Sequence, residues 1–442
     1  MVDMKLYSEN DNYKLYQGNM LDMLEVTEPE TIDSIITDPP YELNFMGKGW
    51  DNSGIAFQPD TWKKCYEVLK PGGYLLAFGG SRTFHRIACA IEDAGFEIRD
   101  TIMWLYGSGF PKSHNIGLDI DKLNGCPDRG HRIAVANRHH PDGTLEPNGE
   151  QLEPYETKTK EAHKWNGWGT ALKPSFEPII VARKPLDGTV AKNCLKWGVG
   201  GINIDECRVE TTIEDCKKTN RLNVKNKKYN TGMFNSGVGS DITNGRFPAN
   251  TILTYDDTDY EEVCGGFPDT KGFYRPNCKD KSYNQSSNIQ LGGGNVSSQY
   301  NDSGSAARYF YCAKASKKDR DEGLDDFEEK KGIRSNAPRE NEEIKTKPRK
   351  NIHPTVKPCD LMQYLVRLVT PNNGTILDPF NGSGSTGKAV MYENKERNKN
   401  YKYIGIELTE EYLPISKARI EYVYNLKEEK DNQTNIFDFI GE

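Results

Sequence analysis

Two short runs in this 442-residue chain bring reactive groups together at informative spacing. The first is Asp38-Pro39-Pro40-Tyr41, directly after the apolar run IDSIIT at Ile32–Thr37. It places a carboxylate, a rigid turn and an aromatic ring within four residues. The chemistry it suits is attack by an exocyclic base amine on a methyl donor. Such an amine is a poor nucleophile, because its lone pair is delocalised into the base. The Asp38 carboxylate and the Pro39 carbonyl can accept its two hydrogens and push the nitrogen towards a tetrahedral form. Consecutive prolines fix that carbonyl, since each locks φ and lacks a donor. Tyr41 can stack on a base lifted out of its helix. The bland alternative is an Asp-Pro turn over a core tyrosine.

The second run is DPFNGSGSTGK at residues 378–388, a strand–glycine loop–helix junction. A helix N-terminus of this kind suits an anionic or nucleoside-like ligand. Three readings stay open. Gly382, Gly384 and Gly387 spell GxGxxG, with Glu407 further on, as at a dinucleotide site. Gly382–Lys388 also spells GxxxxGK, but Ala389 stands where a phosphate loop needs a magnesium-binding Ser or Thr, which counts against ATP hydrolysis. In the third, S-adenosylmethionine (SAM) lies along the loop and Glu407 holds its ribose hydroxyls. A glycine C-cap with tight packing is the bland alternative.

The surrounding elements alternate. Tyr13–Gly18, Ile32–Thr37, Tyr74–Phe78, Phe96–Tyr106, Pro178–Arg183, Gly374–Leu377 and Tyr401–Glu407 read as strands. Leu21–Leu24, Trp62–Leu69, Arg82–Ala94, Cys359–Val369, Ser385–Tyr392 and Glu410–Tyr424 read as helical. Such alternation predicts an α/β fold. Asp38 and Asp378 both end strands, and in open α/β sheets ligands bind beyond the strand carboxyl ends. If those strands are neighbours, donor and acceptor share one cleft. The pattern fades between Asn115 and Lys173. Lys281–Ser305 reads as a flexible connection, and the charge-dense Lys314–Lys350 as exposed.

Composition narrows the rest. Hydrophobic residues make up 35%, and 6 Trp, 23 Tyr and 16 Phe need burial or a ligand. No apolar run is long enough for a membrane span, and the start has no apolar core for a secretory signal. The ten cysteines form no CxxC pair and read as free thiols of a reducing cytoplasm. The net charge of −7 advertises no nucleic-acid partner, so DNA contact needs locally concentrated base. The run KKTNRLNVKNKK supplies it in Lys217, Lys218, Arg221, Lys225, Lys227 and Lys228, with a solvated loop as the alternative. His131, His139 and His140, with Cys126 nearby, fit no common zinc pattern, and no metal is expected. Cys264 and Cys278 are expected free, and Tyr309-Phe310-Tyr311 is read as core.

DPPY followed by DPFNGSGSTG resembles the beta class of DNA amino-methyltransferases, in the subgroup common in phages and prophages, which has its motifs in this order. Further matches are LKPGGYLLAFGG, WLYGSGFPKSHNIG, ALKPSFEPIIVARKPL, GRFPANTIL, SGSAARYFYCAKASKKDR and HPTVKP. The resemblance implies a seven-stranded, mostly parallel, Rossmann-like sheet, circularly permuted. Residues 1–184 would form the first half of the catalytic domain, 185–308 an inserted target-recognition region, and 309–442 the second half.

It also implies roles. Asp38, Pro39, Pro40 and Tyr41 would be catalytic. Asp378, Phe380, Asn381, Gly382, Gly384 and Glu407 would line the SAM pocket. Thr355 and Lys357 would lie at the methionine end of the cofactor, and Asn19 and Met20 beside its adenine. Asn19 replaces the family's commoner Asp, and Ser385 its usual Thr. His114 would face the target base or solvent, and Trp50 would sit on a flap. The activity implied is methylation of adenine N6 in double-stranded DNA after base flipping, with cytosine N4 as the alternative. A P-loop ATPase and an inactive DNA-binding module are the rivals from other classes. The resemblance is compatible with a homodimer, a cognate restriction endonuclease and a bacterial or phage-encoded cytoplasmic protein.

Overall fold

Six consecutive buried residues, Ile32–Thr37, make a strand covered on both faces, which is how a central parallel strand reads. The computed structural model describes residues 5–43, 53–107, 113–126, 156–209, 245–255, 263–267, 306–307, 310–313, 319–330 and 349–426, with backbone alone at 137–139, 145–147, 269–270, 304–305 and 308–309. Ten strands form one sheet: β1 Lys5–Glu9, β2 Tyr13–Gln17, β3 Ile32–Thr37, β4 Leu69–Phe78, β5 Glu97–Tyr106, β6 Phe176–Arg183, β7 Thr251–Thr254, β8 Tyr311–Cys312, β9 Thr375–Asp378 and β10 Lys402–Glu407. Their spatial order is β1-β2-β10-β9-β3-β4-β6-β5-β7-β8. The pairs β1/β2, β4/β6 and β6/β5 are antiparallel and the rest parallel.

The α/β class is the expected one, but the expectation of seven strands is corrected to ten among the described residues. The seven read from the sequence form the contiguous centre, from β2 to β5. The additions lie at the edges. β1 folds back on β2 as a hairpin, while β7 and β8 have only four and two residues, too few to show a period. β4 also begins earlier than expected, at Leu69. A register shift between its pairings with Ile32 and Ser34 absorbs Pro71 and the two glycines after it.

Alternation along the strands feeds two cores. Ile36, Leu76, Phe78, Ile179, Val181 and Ile376 join one with helices α7 Cys359–Val369, α8 Ser385–Glu396 and α9 Leu413–Asn425. Ile35, Leu75, Ala77, Ile180, Ala182 and Leu377 join the other with α1 Met20–Glu25, α2 Pro59–Val68 and α3 Phe84–Asp93. Helices cover both faces, as a parallel sheet requires.

Residues 1–107 and 176–442 make the larger compact unit, and 108–175 a smaller one. Residues 185–209, within the stretch expected as an insertion, belong to the larger. Their helix α6, Val190–Trp197, buries Asn193, which donates to the carbonyls of Pro71 and Val199. In the smaller unit, α4 (Ile116–Leu123) and α5 (Lys160–Lys164) are joined by the buried Asp121 carboxylate, which accepts from the backbone of Lys158 and Thr159. His114 lies here, exposed beside Asp119. Among the described residues no helix is long and apolar enough to cross a membrane, and no three His, Cys, Asp or Glu side chains are grouped to hold a metal. The basic run 217–228, Trp50, His131, His140 and Cys278 lie outside the described residues, as does the side chain of His139.

One buried ion pair locks α7 to α8. Arg367 Nη2 and Nε lie 2.5 and 3.2 Å from the two oxygens of Glu393, which is wholly buried. Removing one partner strands a charge. Arg367→Met is expected to cost roughly 3–5 kcal/mol in urea unfolding. Adding Glu393→Leu should restore most of that loss, and a double variant no better than the single would contradict this.

Candidate active site

The two chemical turns meet at adjacent strand ends. β9 pairs with β3 through Ile376–Ser34 and Leu377–Ile35. Beyond this pairing, Thr37 Oγ1 donates to Asp378 Oδ1 at 2.7 Å. Asp38 then leaves β3, and Pro39 and Pro40 end the ladder because neither can donate to it. Asp38 Oδ2 accepts from Lys357 Nζ at 2.7 Å. Its other oxygen, Oδ1, is buried with no hydrogen-bond partner among the described residues. A buried acceptor left open is costly and marks a place where a ligand donor would fit.

Tyr41 is positioned from two further strands. Its hydroxyl donates to Glu177 Oε2 on β6 at 2.7 Å. Its ring lies against Gly80, just past β4, where an added Cβ would stand 3.2 Å from Tyr41 Cδ2. Glu177 also accepts from Tyr106 at 3.3 Å and lies 3.3 Å from Lys357 Nζ. Burial and then the Asp38 and Glu177 charges hold the Tyr41 phenol well above its ordinary pKa. Burial alone would lower the Lys357 pKa, but those two carboxylates outweigh it and the net shift is upward. Glu177 has no signal in the sequence beyond being a polar residue at the start of a buried strand.

The glycine loop is held from within. Asp378 accepts from Thr386 Oγ1 at 2.7 Å and from Phe380 N at 3.1 Å, so both its oxygens are engaged. Burial, partly offset by these bonds, raises its carboxyl to about 6. The Asn381 side chain bonds Tyr403, Ser416 and the Gly382 carbonyl, which makes it a support of the loop. Gly382 and Gly384 have φ of +53° and +74°, which favour glycine. A Cβ at Gly382 would come within 2.9 Å of His353 Nε2. Burial lowers the His353 imidazole to about 4, so it is neutral at pH 7.

Glu407 ends β10 and accepts from the amides of Gly382 and Thr409, each at 2.7 Å. Burial raises its carboxyl to about 7. At the register position beside it, Gln17 has a buried Oε1 with no partner among the described residues. Asn19 caps α1 through the Leu21 amide, and Met20 is buried in the core, so the sequence pair splits between surface and interior. Phe380 is half-buried, 6.4 Å from the Trp62 ring. Thr355 is exposed, and its carbonyl lies 2.5 Å from His353 Nδ1.

Part of the charge-dense stretch expected to be exposed is instead a half-buried hub. Asp319 takes the Cys359 amide at the start of α7 and Lys388 Nζ from α8 at 2.6 Å. Arg320 donates to the carbonyl of His353 at 3.1 Å, Asp321 accepts from Asn351 N, and Glu322 meets Lys388 and Tyr392. The expectation failed because charges that pair across distant segments look solvated in sequence. Lys388, wholly buried on Asp319 and Glu322, is already neutralised where a phosphate loop would need it.

A family model described as DNA methylase, of the N6/N4 class, matches residues 32–418. The chain belongs to this DNA methylase family. It is 28% identical over 148 residues to the type II methyltransferase M.HindIII of Haemophilus influenzae, covering 33% of this chain and 37% of that protein. It is 35% identical over 203 residues to M2.DpnII of Streptococcus pneumoniae, covering 40% of this chain and 75% of that protein. The matches to M.HindIII and to M.HpaI of Haemophilus parainfluenzae each span 37% of those proteins' length. The solved PvuII DNA methyltransferase (cytosine-N4-specific) is 14% identical, with a TM-score of 0.41 over 95% of each chain.

Glu407 makes the site sensitive to pH. Its carboxyl titrates near 7 when folded against an ordinary 4.5, so the folded chain holds the proton more tightly. The stability this provides is full below about pH 4.5 and is lost as pH rises through 7. Glu407→Gln does not titrate there, so between pH 5 and 8 it should gain on the parent by roughly 1–3 kcal/mol in urea unfolding. A difference that stays constant with pH would contradict the burial argument.

Proposed function

We propose that this chain methylates the exocyclic amine of a DNA base, using SAM. The observation that carries this is the placement of the Asp38–Tyr41 turn and the glycine loop on neighbouring strand ends, joined by the Thr37–Asp378 bond. The open Asp38 Oδ1 and the Pro39 carbonyl are the acceptors for the amine, and Tyr41 is the platform for the extruded base.

The residues present fit the cofactor. The close approach of His353 to Gly382 and the open Gln17 oxygen beside Glu407 suit a flat, polar nucleoside. Gly382, Gly384 and Phe380 would line it, Glu407 would accept from its ribose hydroxyls, and Asn19 would stand near its adenine. SAM supplies an electrophilic methyl group. Asp38 orients the amine towards it and draws on the amine hydrogens, and the proton leaves after transfer. Adenine N6 is the favoured target, on the resemblance of DPPY to adenine enzymes, with cytosine N4 as the second reading. Double-stranded DNA is the substrate, and residues 185–308, including the basic run 217–228, contain the recognition region. A cognate endonuclease and a homodimer are compatible with this reading.

Expression in a methylase-free bacterial host, with DNA digested to nucleosides for mass spectrometry, tests both levels. N6-methyladenine should appear, and N4-methylcytosine would shift the target. Asp38→Ala should lower transfer at least about 1,000-fold while leaving SAM affinity within about threefold. Unchanged activity in that variant would remove Asp38 from the reaction.

A further inference from the structure

Lys357 is the buried cation of the site, and the reaction outlined above leaves it without a role. Its side chain is 7% exposed. Two of its three donors point at carboxylates, 2.7 Å from Asp38 and 3.3 Å from Glu177. Its ammonium also lies 4.9 and 5.3 Å from the ring centres of Phe78 and Tyr41. Little donor capacity remains for a third anion, such as the carboxylate at the methionine end of SAM. Glu177 is as fully engaged. One oxygen takes the Tyr41 hydroxyl and Lys357, and the other takes the Tyr106 hydroxyl.

We propose that Lys357 and Glu177 are a positioning pair for the acceptor half of the site, and that Lys357 is not a cofactor ligand. The proposal rests on the methyl-transfer reading. Lys357 grips Asp38 by Oδ2, which turns Oδ1 towards the target amine. Glu177 grips Lys357 and the Tyr41 hydroxyl together, so one side chain sets both the carboxylate and the stacking ring. Two carboxylates against one ammonium leave a net charge of about −1. The amine nitrogen becomes positive as it attacks, and that residual negative charge stands preorganised beside it. Asp378 is the next acid, and its oxygens are occupied by Thr37, Thr386 and the Phe380 amide.

The test uses the full chain, labelled SAM and unmethylated genomic DNA from a methylase-free bacterial strain. Lys357→Met should lower kcat at saturating SAM about 100-fold, while the calorimetric Kd for SAM without DNA stays within about threefold. Lys357→Arg should recover part of the rate. Glu177→Gln should lower kcat about tenfold, again without moving SAM affinity. A Lys357→Met variant with near-parental kcat and SAM affinity weakened more than about tenfold would make Lys357 a cofactor ligand and overturn the proposal. If that variant does not fold, Glu177→Gln decides, and parental kcat there also overturns it. A parent chain that binds SAM but methylates no DNA overturns the methyl-transfer reading and this proposal with it. Failure of the proposal alone leaves the parent active.

Discussion

The bond from Thr37 to Asp378 spans 341 positions of sequence and joins the two chemical turns at the carboxyl ends of two central, neighbouring strands. It is short, buried and charge-assisted, the kind of hydrogen bond that contributes most. Its larger effect is geometric. β3 and β9 are held in register over their last residues, so each turn departs from a fixed point. The Asp38 turn and the glycine loop leave neighbouring strand ends whose relative position is fixed because the strands cannot slip. A one-residue slip would also invert the alternation that feeds the two cores.

Buried charge is the second organising feature. Lys357, Lys388, Arg367 and Arg419 are nearly or wholly buried, each beside carboxylates. Such pairs give little net stability, but breaking one is expensive. They therefore serve as address labels, admitting one arrangement of distant segments. The Asp319–Glu322 hub illustrates this. It ties α7 and α8 to the segment that carries His353 and Lys357. Through Arg419, which also bonds Ser383 and Ser385, it reaches the glycine loop.

Much of this was legible in the sequence because local rules suffice for it. IDSIIT ending at Asp-Pro and TILD ending at Asp-Pro are buried strands stopped by residues that cannot continue them. Cys359–Val369 emerges as the helix its spacing predicts. Illegible were features that depend on partners far along the chain. Lys357, in the HPTVKP segment, was expected at the methionine end of the cofactor, and nothing local pointed to its partner Asp38, 319 positions away. Glu177 lies just before the run read as a strand at Pro178–Arg183, and its partners Tyr41, Tyr106 and Lys357 are all distant in sequence. The resemblance implied Asn381 as part of the SAM pocket, and its bonds to Tyr403 and Ser416, which support the loop, had no local signal. Short edge strands such as Tyr311–Cys312 carry no period and exist through their pairing alone.

A crystal structure of the chain with sinefungin, which carries an amine in place of the transferable methyl group, addresses the shared cleft most directly. That amine should lie near the Asp38 carboxylate, within about 6 Å, with the amine acceptor still to fit between them at a reactive distance of roughly 3–3.5 Å. Sinefungin seated on the glycine loop with its amine on the far side of β9 from Asp38 would contradict it.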